Sequence, residues 1–480
     1  MQHTAWIAWL AALVQVGGYL VLAPLSGART LAVPSRYETI QAAIDAARDG
    51  DRVLVAPGAY AEKIDFRGRA IRLASVEGPH LTRIVVPAGA YAVQFERGES
   101  WRAMVRGFTV QGGGGICCRR SAPVIRGNWI EATGTGSAAE REPALLASIL
   151  CGPGSEPHVI DNWITGRGIH CEEATARVRN NEISGCTARD GGAVFATRST
   201  VDLAGNVLRG NRADRRGGGL YAAHSAIRLV NNALVANQAS AGGGLFVEGG
   251  SLELLHNTIV DNVAATAGGG LASRDAAVTA VNIIFWNNRA PAHPEIHGQA
   301  GAISVRHGIV RGGWPGEGVL DRDPLLVADG GDFHLTFQSP ARGRGLRMPG
   351  RACRLDIDGN ERRKEAGIDI GADQFAPHLY AHRPQAASHV AALRATGEPG
   401  TPVLLGCGPQ LLSGPVLFGA RGFLWLYTPV TLLALESIPP AGWLSLPVPT
   451  PRAFPAGPLY PAQAWVGTTL TAPVMLASPR

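Results

Sequence analysis

Through the middle of the chain the hydrophobic positions come in short alternating runs, and the runs recur. An asparagine precedes an apolar pair or near-pair in Gly127-Asn128-Trp129-Ile130, Asp161-Asn162-Trp163-Ile164, Asn180-Asn181-Glu182-Ile183, Gly205-Asn206-Val207-Leu208, Asn231-Asn232-Ala233-Leu234, His256-Asn257-Thr258-Ile259 and Val281-Asn282-Ile283-Ile284. From Asn181 the spacing is 25, 26, 25 and 25 residues. A second asparagine follows five residues later at Asn211, Asn237, Asn262 and Asn287, with Cys186 in that slot one repeat earlier. Glycine clusters at 191–192, 217–219, 242–244 and 268–270 keep the same beat. Alternation with period two marks half-buried strands, and a fixed period of 20–50 residues marks a repeat architecture. The pattern therefore predicts a solenoid whose coils each carry three short strands, with glycine and asparagine at the corners. Asparagine suits a corner because it tolerates the left-handed backbone and can hydrogen-bond to its counterpart one coil away.

Three segments resemble the right-handed parallel β-helix proteins of the pectate-lyase-like superfamily. Pro34 to Ile44, followed by Asp49 to Tyr60, resembles the amino-terminal capping helix and first strand of that superfamily. Its own chemistry agrees: Ser35 and Glu38 form a capping box, Ile40, Ala43, Ile44 and Ala47 make one apolar face, and Gly50 stops the helix. The Gly-Gly-aliphatic and asparagine repeats resemble bacterial surface β-helices, including polymorphic outer-membrane proteins. Asp323-Pro324-Leu325-Leu326, Phe333-His334-Leu335, Ser339-Pro340-Ala341, Asp356 to Asn360 and Asp369 to Asp373 resemble the end of uncharacterised secreted bacterial β-helix repeat proteins. The resemblance implies an all-β, right-handed parallel β-helix of about ten coils over residues 29–375.

The flanks differ from this body. Residues 1–28 are uncharged from Thr4 to Ala28 and strongly apolar from Trp6 to Leu22, with Ser26 and Ala28 as small residues before a cleavage point. They read as a secretory signal, or as a membrane anchor if uncleaved, so a secreted or cell-surface protein is expected. After Phe375 the only charged residues are Arg383, Arg394, Glu398, Arg421, Glu436, Arg452 and Arg480. Residues 376–402 read as a linker and 403–480, with short apolar runs broken by glycine and proline, as a small β-sandwich.

Composition narrows the function classes. Glycine supplies 62 of 480 residues, while the hydrophobic share of 46 % is enough for a large core, so neither disorder nor collagen fits. The net charge of +6 is almost all arginine, since only Lys63 and Lys364 are lysines. No basic run of five or more is present, which argues against a nucleic-acid partner.

The repeat register assigns faces. Twelve residues before each corner asparagine stand Ile116, Leu150, Ile169, Val194, Leu220 and Leu245, which must point inward. Next to them, Cys117, Cys151, His170, Phe195, Tyr221 and Phe246 must point outward, followed two residues on by Arg119, Glu172 and Glu248 among others. Phe195, Tyr221 and Phe246 are expected to form an exposed aromatic stripe, flanked by Arg119 and Glu248, on which sugar rings pack. His170, Glu172, Arg189 and Arg198 are the candidate catalytic group. A uronic-acid lyase needs a base for the proton α to a carboxylate and a cation for the charge that develops. The carboxylate clusters and Asp-Asp or Gly-His-Gly motifs of the related pectate lyases and polygalacturonases are absent. Cys117 and Cys151, at one offset on adjacent coils, are candidates for a disulfide. Asp356, Asp358 and Asn360 are weak calcium candidates, with a turn the better reading, and no cofactor is otherwise expected. The leading expectation is a monomeric, exported protein that binds polysaccharide along this stripe. The alternatives are a polysaccharide lyase acting by β-elimination and an adhesin-like structural protein.

Overall fold

The computed structural model describes residues 28–87, 89–133, 147–327, 332–348, 353–362 and 367–375, together with eight strands between His378 and Ala477. Residues 1–27, which hold the expected export signal, lie outside the described residues.

From Thr30 to Val310 the chain winds through about eleven turns of a right-handed parallel β-helix, close to the ten expected. Strands of successive coils pair in parallel along three continuous sheets. The first begins with Thr30–Val33 and Arg52–Val55 and ends at Ile303–Val310. The second follows the corner asparagine and includes Trp129–Ala132, Trp163–Thr165, Glu182–Ser184 and Val207–Arg209. The third follows the glycine cluster and includes Gly114–Cys118, Ile149–Cys151, Ile169–Glu172 and Val194–Thr197. Between the second and third lies a narrower outer sheet of Thr187–Asp190, Arg212–Arg216, Gln238–Ala239 and Val263–Ala264. Inward rows such as Ile116, Ile149, Ile169, Val194, Leu220 and Leu245 are buried, each contributing about 1.5–3 kcal/mol of transfer free energy.

The two roles ascribed to the corner asparagine fall on neighbouring residues. The left-handed conformation belongs to the residue before it: Asp161, Asn180, Gly205, Asn231 and His256 all have positive φ. The asparagine itself turns inward. The Oδ1 of Asn162 accepts from the backbone N–H of Asn128 at 3.0 Å and from its Nδ2 at 3.1 Å, and the same pair of bonds links Asn162, Asn181, Asn206, Asn232 and Asn257 in turn. A second ladder joins Cys186, Asn211, Asn237, Asn262 and Asn288, and Glu295 caps it. The coil of Asn282 holds one extra residue, so Ile283 takes the slot expected for Asn282, and Asn288 the slot expected for Asn287.

Glycine is required in the clusters by close approach. A Cβ on Gly218 would lie 2.4 Å from the Gln238 carbonyl oxygen, and one on Gly244 2.6 Å from that of Gly270. At Gly217 and Gly242, with φ +66° and +62°, a Cβ would lie 2.2 Å from the Leu220 carbonyl oxygen and 2.4 Å from that of Leu245, so the left-handed turn there has no room for a side chain.

Two expectations are corrected. The helix runs Ile40–Ala46 with Thr39 as its N-cap, and Glu62 accepts the Ile40 and Gln41 N–H groups at 2.9 Å, so Ser35 and Glu38 form no capping box. The coil of Asn162 also holds one extra residue, which pairs Ile149, not Leu150, with Ile116 and Ile169. Cys151 therefore faces inward with Cys118 and Cys171, whereas Cys117 faces outward beside Leu150 and Tyr91; the two are free thiols on opposite faces and form no disulfide. Beyond the helix, strands His378–His382 and Ala392–Thr396, within the stretch 376–402, pair with Trp443–Pro447 in an antiparallel sheet of three strands, and five other strands form a second antiparallel sheet.

Candidate functional site

On the third sheet the expected aromatic row is present, and two of its three rings are covered while Phe195 is half-buried. His170 stacks on Phe195 with centroids 4.4 Å apart and planes 13° apart, and Tyr221 and Phe246 follow at 5.4 and 5.9 Å. Tyr221 and Phe246 are only 5 % and 8 % exposed, so the stripe is not the open sugar platform expected. The cover is Arg216, from the outer sheet, whose guanidinium carbon lies 4.4 Å from the Tyr221 ring centroid and 5.6 Å from that of Phe246. It is anchored by Asp190 at 2.9 Å and Glu248 at 2.6 Å, and Glu248 also binds Arg274 and accepts from the Tyr221 hydroxyl at 3.2 Å. Burial pushes the Tyr221 phenol up to about 12. The signal that sequence reading missed is Arg216 itself, which stands one residue before the glycine cluster and arches back over the strand beyond it.

The candidate catalytic residues do not gather around a cleft among the described residues. Burial lowers His170 to about 4, which keeps it a neutral imidazole within the stack. Arg198 pairs with Glu172 at 3.1 Å and Glu173 at 2.9 Å. Glu173, Arg198 and His224 occupy equivalent left-handed corner positions with φ near +49°. Arg189 is exposed on Thr187–Asp190, and Arg119 pairs with Glu96 at 3.4 Å.

A groove opens instead on the second sheet. The outward row that follows the corner asparagines reads Trp129, Trp163, Glu182, Val207, in register from coil to coil. Farther along, the same face is buried: Ala233, Val235, Val260, Ile284 and Ile309 pack under Phe333, Leu335, Ala341 and Ile370 of the segment that returns after the last coil. That segment stops short of the tryptophans, and its edge forms a wall. The resulting groove, about 450 Å³, has Trp129, Trp163, Glu182, Val207 and Arg209 as floor, Asp332, Phe333, His334 and Asp358 as wall, and Gly127, Asp161 and Asn180 at the corner. The half-buried indoles meet edge to face at 5.0 Å, His80 packs on Trp129 at 4.1 Å, and Trp163 Nε1 donates to Ser184 Oγ at 3.1 Å.

The wall is held by charge. His334 bridges Asp332 at 2.6 Å and Asp358 at 3.1 Å. Burial alone would lower this imidazole, but the charges and hydrogen bonds of Asp358 and Asp332 prevail and raise its pKa well above the ordinary value. Arg362, buried, donates to Asn231 Oδ1 at 2.9 Å and to the Ala372 carbonyl at 2.8 Å, while Asn282 binds both backbone groups of Leu346 at 2.6 Å. These bonds fasten the returning segment to the corners of the helix.

The weak calcium candidates belong to this wall: Asp358 lines the groove, and Asp356 and Asn360 flank it in sequence. Asp356 accepts from the N–H groups of Asp358 and Asn360 at 3.0 and 2.7 Å, the geometry of a turn. Asp356, Asp358 and Asp373 each bring one oxygen within 4.8 Å of the others, whereas the Asn360 side chain donates to Asp356 at 3.2 Å.

Coil regularity, three parallel sheets and stacked asparagines define the class, a right-handed parallel β-helix protein. The family described as right handed beta helix region matches residues 100–289. No curated protein shows significant similarity to the chain. Among solved structures, the Dettilon tailspike protein is similar with a TM-score of 0.41 at 11 % identity, over 76 % of either chain. A second is the enzymatically active domain of bacteriophage CBA120 tailspike protein 2, with a TM-score of 0.35 at 10 % identity, over 91 % of this chain and 73 % of that one.

Proposed function

We propose that the protein is an exported β-helix protein that binds polysaccharide in the groove of Trp129 and Trp163. The observation that carries this reading is the pair of half-buried indoles in one row of the groove floor, beside polar and charged groups. Sugar rings present flat apolar faces that pack on aromatic rings and hydroxyl rims that seek such polar partners. The groove floor draws its residues from consecutive coils, about 4.8 Å apart, and such a succession of contacts suits a polymer.

The test is calorimetric titration of the full chain with a panel of oligosaccharides, repeated with Trp129→Ala and Trp163→Ala. Each substitution is expected to weaken the best ligand by about tenfold or more, equivalent to about 1.4 kcal/mol. Binding that survives both replacements unchanged sinks this reading. Tyr221→Ala, beneath Arg216, is expected to leave affinity unaltered.

A further inference from the structure

Over its opening coils the first sheet carries arginine on its outward face and no acid. The outward positions, in register from strand to strand, are Thr30 and Ala32, Arg52 and Leu54, Arg72 and Ala74, Met104 and Arg106, Val124 and Arg126. Between them Leu31, Val53, Leu73, Val105 and Ile125 are buried. All four arginines are exposed, and of these only Arg126 has an ion pair among the described residues, with Asp161 at 3.0 Å. Neighbouring strands about 4.8 Å apart set Arg52 beside Arg72 and Arg106 beside Arg126, which builds a positive potential over the face. Farther along the same columns acids enter: Arg179 pairs with Asp202 at 2.6 Å and Arg228 with Glu253 at 2.7 Å. In the opening coils the nearest exposed carboxylate of this kind is Glu77, in the turn after Arg72–Ser75.

The rims of this face expose large apolar side chains. Trp101, in the turn that enters Met104–Arg106, is 63 % exposed, with the Arg102 guanidinium carbon 5.4 Å from its ring centroid. Val76, in the turn that leaves Arg72–Ser75, is 60 % exposed. Indole sits well at the headgroup layer of a bilayer, and arginine pairs with lipid phosphate there. The sequence leading into Thr30 is uncharged from Thr4 to Ala28 and strongly apolar from Trp6 to Leu22, so a leader that stays uncleaved brings these coils next to lipid. Charge alone suits a soluble polyanion equally; Trp101 and the apolar leader favour the bilayer. We propose that the opening coils dock through Arg52, Arg72, Arg106 and Trp101 on a membrane surface of anionic phospholipid headgroups.

The test is flotation of the full chain with phosphatidylcholine vesicles, with and without phosphatidylglycerol, at low and high salt, with hydrogen exchange read across 96–104, the turn of Trp101. Exchange there is expected to slow on the anionic vesicles alone and to recover at high salt. The triple variant Arg52→Gln, Arg72→Gln, Arg106→Gln is expected to abolish this protection and to weaken the preference for anionic vesicles by about tenfold or more. Trp101→Ser is expected to weaken that preference at unchanged net charge. Arg212→Gln, Arg289→Gln and Arg322→Gln, an equal loss of charge from exposed positions elsewhere, are expected to leave it unaltered. Circular dichroism of each variant confirms that the helix is intact. If the leader itself inserts and holds the chain on both kinds of vesicle, exchange decides. Unchanged exchange on anionic vesicles, or an equal effect of the second triple variant, overturns the proposal. Capture of dextran sulfate without binding to anionic vesicles also overturns it, in favour of a soluble polyanion.

Discussion

At the scale of single residues, the asparagine ladder shows how a buried polar side chain stabilises a fold when it is fully satisfied. Asn206 is fully buried; its Oδ1 takes two bonds from Asn181, at 2.9 and 3.0 Å, and its Nδ2 donates to Val178 and Asn232. Replacing it by leucine removes the acceptor of the Asn181 backbone N–H and the side-chain donor to the Val178 carbonyl and Asn232, at about 1–3 kcal/mol for each buried group left unpaired, while Asn181 Nδ2 keeps its bonds to the Val159 and Arg179 carbonyls. Asn206→Leu is accordingly expected to lose about 3 kcal/mol or more in denaturant unfolding, although leucine is the more apolar residue. A neutral or stabilising effect would show that the ladder is dispensable. The asparagine slots themselves were legible from spacing. What spacing could not resolve were two single inserted residues: one moves Cys151 to the inner face, and the other puts Asn288 in the second ladder where Asn287 was expected.

At the scale of elements, the wall of the groove depends on His334 keeping its proton. The folded pKa is raised above the ordinary histidine value of about 6.5, so the clamp contributes in full below that value and is lost as pH rises through the folded pKa. Deprotonation leaves Asp332 and Asp358 facing each other without the cation between them. Unfolding midpoints measured from pH 6 upward are expected to fall more steeply for the natural chain than for His334→Gln, which has no proton to lose there. Parallel slopes would remove His334 from the account. The outer sheet illustrates the opposite case, an element whose effect the sequence hid. Alternation correctly faced Tyr221 and Phe246 outward, but outward is not exposed: Arg216, from a neighbouring sheet, lies over both rings, and Asp190 and Glu248 hold it there.

At the scale of the whole molecule, the groove exists because residues more than a hundred positions apart meet. Trp163 lies in the middle coils, whereas Phe333 belongs to the segment that folds back after the last coil. Phe333 is 5 % exposed and packs in the cluster that covers the second sheet. Phe333→Ala is expected to cost about 3–5 kcal/mol, to speed hydrogen exchange across 332–375, and to weaken glycan binding without touching either tryptophan. If exchange accelerates but affinity holds, the returning segment is a cover and not a wall.

The repeat period, the inward rows and the corner chemistry were fixed by local sequence, because strand alternation and left-handed corners are properties of a few neighbouring residues. The tryptophan row was equally legible, one position after Asn128 and Asn162, though sequence alone did not distinguish it from any other outward row. Which outward row stays open was decided only by the tertiary structure. A side chain from one sheet closed over two rings of the aromatic stripe and a returning segment covered the later coils of the second sheet, and no local pattern records how far either reaches.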